Sequence, residues 1–189
     1  FYKNAIGQLP EPEAALEAPL QLEVAQALDG AQSISDLCLT DQRAWNQTVL
    51  AHWEPGEEGA KRRLQSFVEK GLDEYREGRD FPALRAVSRL SPHLHFGEIS
   101  PRQVWNYLHA NADASVNREH FLRELIWREF SNNLLYHFPT LPHQNLQTHF
   151  DGFPWMTSKD TLTAWQTGMT GYPIVDAGMR ELWATGYMH

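Results

Sequence analysis

Apolar residues recur at helical spacing along most of the chain, and no stretch alternates apolar and polar residues as a half-buried strand does. The longest periodic stretch, 118–137, carries Leu122, Leu125 and Ile126 on one side. In the last stretch, Asp176 and Arg180 stand four residues apart, so we expect an ion pair. The pattern predicts an all-α protein whose other helices cover 58–75 or begin at Ser100, Ser158 and Pro173, the last ending at Gly186.

The beginning of the chain differs in composition from the rest. Prolines 10, 12 and 19 interrupt an alanine- and glutamate-rich stretch. The formal net charge of −8 is that of residues 1–60, because residues 61–189 balance 14 acidic against 14 basic groups. We expect residues 1–44 to be an interdomain linker with little regular structure, apart from a short helix at 20–28. Residues 45–189 are expected to be the helical domain.

Several classes of protein are disfavoured by what the sequence lacks. Cys38 is the single cysteine, which excludes a disulfide framework within the chain and favours a reducing, intracellular setting. No apolar run approaches the roughly 18 residues of a membrane span. His93 and His95 stand close together, but no zinc motif such as H-E-x-x-H surrounds them, so no metal site is expected.

A candidate anion site lies at residues 88–91, where Ser88, Arg89 and Ser91 precede Pro92. Hydroxyls, backbone N–H groups and a helix N-terminus together suit a phosphate. Serines before a proline are also the ordinary way to cap a helix, and the spacing alone favours that simpler interpretation.

The longest helix carries a polar stripe, since Glu124, Trp127, Arg128 and Ser131 recur at i, i+3, i+4 and i+7. An exposed amphipathic helix would also have such a face. A tryptophan within the stripe, with apolar residues on more than one side, instead indicates a helix buried nearly all round, whose polar groups face a ligand cavity. A base stacked on Trp127 and hydrogen-bonded by Glu124 would fit recognition of a flipped nucleobase.

Three ordered blocks resemble the photolyase/cryptochrome family, and most closely a class I cyclobutane pyrimidine dimer photolyase. The blocks run from Tyr75 through Arg79-Asp80-Phe81-Pro82 to Ser88–Arg102, over Glu124–Phe130, and from Gly168 through Thr170–Arg180 to Gly186–His189. The resemblance covers residues 45–189 and implies a multi-helical FAD-binding domain, incomplete at its C-terminus, that holds FAD in a folded conformation.

The resemblance also implies roles for individual residues. Ser88 and Ser91 would lie near the FAD phosphates, whereas Trp155 would be the outermost member of an electron-transfer chain. Two positions depart from the family pattern: Val87 replaces a common threonine, and Phe121 replaces a common tryptophan. The full FAD set would be Tyr75, Val87, Ser88, Arg89, Leu90, Ser91 and Phe121. The set facing damaged DNA would be Arg79, Glu124, Trp127, Arg128, Ser131 and Tyr187.

The activity implied is light-driven repair of cyclobutane pyrimidine dimers by electron transfer from reduced FAD, with Glu124 and Trp127 as catalytic residues. The implied partner is ultraviolet-damaged DNA, and we expect a cytoplasmic, nucleoid-associated monomer. An antenna chromophore of folate or deazaflavin type would belong to a preceding domain. Because further FAD-binding residues of the family would follow His189, we expect the 189 residues alone to bind FAD weakly or not at all. The alternatives are a cryptochrome-type blue-light receptor and a helical interaction module without a cofactor.

Overall fold

The computed structural model describes residues 2–8, 30, 32–38 and 44–189, and within these ranges the secondary structure is helical, with no strand. Short 3-10 turns lie at Ile34–Leu37, Leu72–Glu74 and Thr148–Gly152. The all-α prediction is confirmed. The α-helices are α1 (Tyr2–Ile6), α2 (Ala44–Leu50), α3 (Glu57–Lys70), α4 (Tyr75–Gly78), α5 (Ser91–His95), α6 (Pro101–Asn111), α7 (Val116–His137), α8 (Lys159–Gln166) and α9 (Pro173–Thr185).

Local signals set the ends of the longer helices. Ser100 accepts a hydrogen bond from the Gln103 backbone N–H while the Gln103 side chain accepts one from Ser100 N–H, which forms a capping box ahead of α6. Ser158 caps α8 in a simpler way, through the backbone N–H of Thr161. Helix α9 ends at Gly186, whose φ of 72° is left-handed and favours glycine. These three boundaries agree with the sequence predictions.

The single helix predicted over residues 58–75 is wrong, because the chain breaks at Gly71 into α3, a 3-10 turn and α4. The Gly71 N–H bonds the Phe67 carbonyl and closes α3. A β-carbon at position 71 would stand 3.1 Å from the Phe67 ring and 3.3 Å from the Arg85 carbonyl oxygen. The break redirects the chain so that Tyr75 enters the core.

The core lies where α3, α6 and α7 converge with the segment around Leu90. Burying each large aliphatic side chain stabilises the fold by about 1.5–3 kcal/mol. Around this core, α2 packs against α9, α8 against α9, and α4 against α7. The side chains buried most completely are Leu64, Leu90, Val104 and Leu108.

The sequence indicated that the longest helix is buried nearly all round. That prediction is wrong, because α7 is buried along only one stripe of its first half. Its buried residues are Phe121, Leu122, Leu125 and Ile126. Trp127 is 45% exposed, and further along the helix Tyr136 is 82% exposed. The polar stripe therefore lies on an accessible side of α7.

The ion pair predicted between Asp176 and Arg180 is also wrong. Asp176, only 6% exposed, accepts hydrogen bonds from Thr170 N–H (2.8 Å), the Thr170 hydroxyl (2.6 Å) and Gly171 N–H (3.0 Å). Arg180 donates instead to the Gly168 carbonyl at 3.0 Å. Both side chains therefore anchor the loop that precedes α9. Their spacing of four residues along one helix could not predict these contacts with the loop.

In the first 44 residues, the described parts contain helix α1, the 3-10 turn Ile34–Leu37 and Ala44, the first residue of α2. The short helix expected at 20–28 lies outside the described residues. The assignment of this segment as a linker stays a prediction. Over the described ranges, no helix combines the length and apolar character that crossing a membrane requires.

Candidate functional site

An ion pair between α7 and the residue after α4 forms the centre of the candidate site. Arg79 Nη1 donates to Glu124 Oε1 at 2.5 Å, although the two residues are 45 positions apart. Asp80 stands 4.0 Å from the Arg79 guanidinium, and the hydrogen bond to Glu124 raises the pKa of Arg79. Both paired side chains stay about one-third exposed. The pair therefore holds a carboxylate in a fixed position at an accessible surface.

Tyr75 forms the wall beneath this pair. Its ring packs edge-on against Phe121, with centroids 5.1 Å apart, and the Arg79 guanidinium lies 5.6 Å from the ring centroid. Burial raises the pKa of Tyr75 to about 12; the Arg79 charge opposes this shift, while Glu124 and Tyr187 add to it. The hydroxyl therefore stays protonated at neutral pH. The end of the chain lies beside the same cluster, since His189 contacts the Arg79 carbonyl at 2.7 Å.

Tyr187 belongs to a second cluster, where the chain leaves α9. The Arg89 guanidinium lies 4.6 Å from the Tyr187 ring centroid and bonds the Glu181 carboxylate at 2.9 Å. The Trp53 ring is 6.3 Å from that of Tyr187, and its indole N–H donates to the Thr185 carbonyl. Burial raises the pKa of Tyr187. The structure thus brings together Arg89 of the predicted FAD set and Tyr187 of the predicted DNA set.

The serines of the loop 87–91 do not cap helix α5, which begins there. The residue that precedes α5 is Leu90, and no side chain in the described part of the chain caps that helix. Ser88 Oγ receives only a long contact of 3.4 Å from Leu90 N–H, and Ser91 Oγ bonds none of the described residues. Arg89 adopts φ 54°, which is uncommon for a residue with a side chain. The simpler helix-cap interpretation is therefore wrong, and both hydroxyls stay available to a ligand.

Three residues of the predicted DNA-binding stripe share the accessible side of α7. Arg128 pairs with its neighbour Glu129 at 2.8 Å, and the Ser131 hydroxyl donates to the Trp127 carbonyl at 3.2 Å. The Trp127 ring contacts Phe130 edge-on, with centroids 5.5 Å apart. The exposed indole has a face available for stacking.

Two further predicted residues lie apart from the ion pair. Phe121 packs between Phe67 and Tyr75 and is 5% exposed, so it serves the core in this structure. Trp155 is 63% exposed, with its ring 4.6 Å from that of Phe153. A surface position agrees with the outermost place predicted for Trp155 in an electron-transfer chain, and that role stays a prediction.

Some contacts at the site could not be found from the sequence. His189 Nε2 donates to the Arg79 carbonyl at 2.7 Å across 110 residues. Trp53, which the sequence left as a structural residue, lies between the rings of Tyr187 and His93. His93 itself is paired with Glu98 at 2.5 Å. Only the high tryptophan content hinted at such an aromatic group.

Comparison with known proteins matches residues 121–189 to the family model described as the FAD binding domain of DNA photolyase. A deoxyribodipyrimidine photo-lyase from Agrobacterium fabrum is 43% identical over 95% of this chain. A crystal structure of a class III photolyase from Agrobacterium tumefaciens superposes on the whole chain with a TM-score of 0.89 at 42% identity. The chain belongs to the photolyase/cryptochrome family. Cryptochrome-2 of Arabidopsis thaliana is also similar, with 39% identity over 84% of this chain.

The chain corresponds to part of each of these relatives. The chain spans 38% of the A. fabrum photo-lyase, 28% of the Arabidopsis cryptochrome and 40% of the A. tumefaciens photolyase chain. The matched crystal structure is of class III, whereas the sequence suggested class I, so the subclass stays a prediction.

The residues present fit FAD, the cofactor of this family domain. The hydroxyls of Ser88 and Ser91 are free to donate to phosphate oxygens, and Arg89 brings a positive charge to the same loop. Tyr75, in the same buried core cluster as Leu90, keeps its phenol protonated. Charge-assisted hydrogen bonds of this kind suit a diphosphate. Val87 contributes no hydroxyl, so the donor set is smaller than the family pattern by one group.

Proposed function

We propose that the protein carrying this chain repairs cyclobutane pyrimidine dimers in DNA by light-driven electron transfer, with FAD as its cofactor. The contact between Arg79 and Glu124 is the observation that supports this most directly. It orients a carboxylate on an accessible face of α7, in the polar stripe that also carries Trp127. A carboxylate with a free oxygen beside an open aromatic face is the arrangement that a flipped pyrimidine pair requires.

Each residue of the face has a distinct task. Trp127 offers its ring to the extruded bases, because base–aromatic stacking contributes about 1–3 kcal/mol per base. Glu124 accepts hydrogen bonds from pyrimidine N–H groups with the oxygen that Arg79 leaves free. Arg79 and Arg128 place positive charge where the DNA phosphates on either side of the lesion pass.

Bound in its reduced form, FAD would supply the single electron that opens the cyclobutane ring under blue light and is then returned. Ser88, Ser91 and Arg89 would hold its phosphates, and Tyr75 would donate from the neighbouring wall. The role of this chain is to hold cofactor and lesion close together and to exclude water between them.

Repair of a thymine dimer under blue light tests the proposal on the complete gene product. We expect repair in the light and none in the dark. Glu124→Gln should weaken repair about 10- to 100-fold, since a hydrogen bond to a charged group contributes about 1.5–3 kcal/mol. Glu119→Gln, an exposed carboxylate in the first turn of the same helix, is the matched control and should leave repair unchanged.

A second candidate is a cryptochrome-type photoreceptor without repair activity, which the similarity to Arabidopsis cryptochrome-2 favours. A protein that binds FAD and changes its absorption under blue light, but leaves thymine dimers intact, would support this candidate and contradict the repair proposal.

The remaining expectations accompany the repair proposal. They are a monomer in solution, a cytoplasmic location with association to the nucleoid, and an antenna chromophore of folate or deazaflavin type. Size-exclusion chromatography with light scattering, cell fractionation and the absorption spectrum of the purified protein test them in turn.

A further inference from the structure

Trp53 lies on the connecting segment 51–56, between α2 and α3, and joins parts of the chain that are far apart in sequence. Its indole N–H donates to the carbonyl of Thr185, the last residue of α9, across 132 positions. Its ring centroid lies 6.3 Å from that of Tyr187. None of the sites predicted from the sequence includes Trp53. The indole therefore ties the connecting segment to the point where the chain leaves α9.

The connecting segment and the end of α9 approach each other closely. A β-carbon at Gly186 would stand 2.7 Å from Val49 Cγ1, on α2, and 3.6 Å from the Trp53 indole nitrogen. A side chain at position 186 would therefore push α2 and the connecting segment away from the end of α9. The contact between Trp53 and Tyr187 depends on this close packing.

A second set of contacts holds the connecting segment itself. His93, 2% exposed, lies edge-on to the Trp53 ring, with centroids 6.1 Å apart. His93 Nδ1 is 2.5 Å from one carboxylate oxygen of Glu98, and the other oxygen accepts a hydrogen bond from Gly56 N–H at 2.8 Å. Gly56 follows Trp53 by three residues, so these contacts return to the segment from which they start. Such a network of hydrogen bonds makes the connecting segment rigid.

Tyr187 lies just beyond α9, where helical geometry no longer sets the direction of a side chain. Among the described residues, its ring contacts are those with Trp53 and with the Arg89 guanidinium, which is 4.6 Å from the Tyr187 ring centroid. The orientation of the Tyr187 ring therefore depends on these two neighbours. Trp53 is the neighbour that a rigid segment holds in place.

We propose that Trp53 is a positioning residue that sets the orientation of Tyr187 and thereby shapes the face that receives the DNA lesion. The second part rests on the proposed function and on the predicted place of Tyr187 in the set facing damaged DNA. Trp53 acts through Tyr187. A ring that is already oriented in the free protein meets a base without first losing its freedom, which favours binding.

Fluorine NMR of the complete protein, produced with fluorotyrosine, tests the contact in the absence of DNA. The Tyr187 signal is identified by its loss in Tyr187→Phe. Burial, opposed by the Arg89 charge, raises the pKa of Tyr187. Trp53→Leu should expose the phenol and lower the pKa that this signal reports, whereas Trp53→Phe keeps a ring at position 53 and should retain most of the raised pKa.

Trp45→Leu is the matched control, because it replaces an exposed tryptophan of α2 by the same residue. It should leave the pKa of Tyr187 unchanged. Trp53→Met, whose longer apolar chain fills more of the space, takes the place of Trp53→Leu if that variant does not fold. An unchanged pKa of Tyr187 after the ring is removed from position 53, or an equal fall in Trp45→Leu, overturns the proposal.

A double-mutant cycle on dimer-containing DNA tests whether Trp53 acts through Tyr187. Trp53→Leu should reduce the preference for dimer-containing over undamaged DNA about three- to tenfold, the value of one aromatic pair. In a Tyr187→Leu background the same substitution should cause no further loss, because the side chain that it positions is gone. Losses that add in the double variant contradict the proposal.

The two measurements separate this inference from the repair function. If Trp53→Leu lowers the pKa of Tyr187 but the wild type does not prefer dimer-containing DNA, the repair function is refuted and Trp53 remains the residue that orients Tyr187. If the wild type repairs dimers and Trp53→Leu changes neither the pKa nor the preference, the repair function stands and this inference is wrong.

Discussion

Two carboxylates from the recognisable blocks stand in opposite surroundings. Asp176, at the start of α9, is buried, and three hydrogen bonds from Thr170 and Gly171 use both of its oxygens. Glu124, on α7, has one partner among the described residues, Arg79, and keeps an oxygen open at an accessible surface. The comparison shows that two carboxylates from family-like sequence blocks can have different roles. What separates them is whether their oxygens are already hydrogen-bonded within the protein or remain open to a ligand. Asp176 stabilises a loop, and Glu124 is left able to bind.

Asp176→Asn should give the largest loss of stability among the variants of these two regions. The amide would turn its N–H₂ group toward one of the two sets of donors, either those of Thr170 or the Gly171 N–H, and would leave that part-buried set without an acceptor. We expect the melting temperature to fall by several degrees in a thermal scan. Glu124→Gln, scanned beside it, should melt within about a degree of the wild type because its site is accessible. Equal melting temperatures for the two variants would contradict the distinction between a structural Asp176 and a Glu124 that is available for binding.

The pH dependence of that loss sharpens the comparison. Hydrogen bonds from Thr170, opposed by burial, lower the pKa of Asp176 in the folded protein. Its stabilising effect is therefore complete above the unfolded-state pKa of about 3.9 and is lost as the pH falls through the folded-state value. The difference in melting temperature between wild type and Asp176→Asn should stay constant from neutral pH to about pH 5 and shrink below about pH 4. A difference that grows on acidification would contradict this sign.

Trp127→Ala tests whether the accessible face binds bases. We expect affinity for dimer-containing DNA to fall about tenfold or more, because stacking contributes about 1–3 kcal/mol per base. Fluorescence anisotropy with a labelled duplex measures it. Tyr136→Ala removes a more exposed ring from the same helix and should leave the affinity unchanged.

Arg79→Gln, like Glu124→Gln, should have only a small effect on stability, because both substitutions remove the same ion pair. An ion pair that is about one-third exposed contributes about 1 kcal/mol or less, so chemical denaturation should shift only slightly. Arg79→Lys keeps the charge and should recover part of any lost DNA affinity. A collapse of the fold in Arg79→Gln would show that the pair is structural, as Asp176 is.

Helices with local signals could be predicted from the sequence, as the capping box at Ser100 and the glycine stop at Gly186 show. Features that depend on distant contacts could not. The break at Gly71 comes from the approach of Phe67 and Arg85, and spacing suggested an uninterrupted helix.

The candidate site was predictable in its residue types but not in its pairings. Glu124 and Trp127 were identified from one helical stripe, whereas the partner of Glu124 comes from 45 residues earlier in the chain. Trp53 gave no signal, because its contacts with Thr185 and Tyr187 form only when α2 packs on α9.

The ratio of affinities for dimer-containing and undamaged DNA tests the role of Glu124 most directly. It is measured on the wild type and on Glu124→Gln, with Glu119→Gln as the control. We predict that Glu124→Gln loses about 10- to 100-fold in this ratio, the value of one charged hydrogen bond, while its melting temperature is unchanged. An unaltered ratio would contradict the assignment of this face to the lesion.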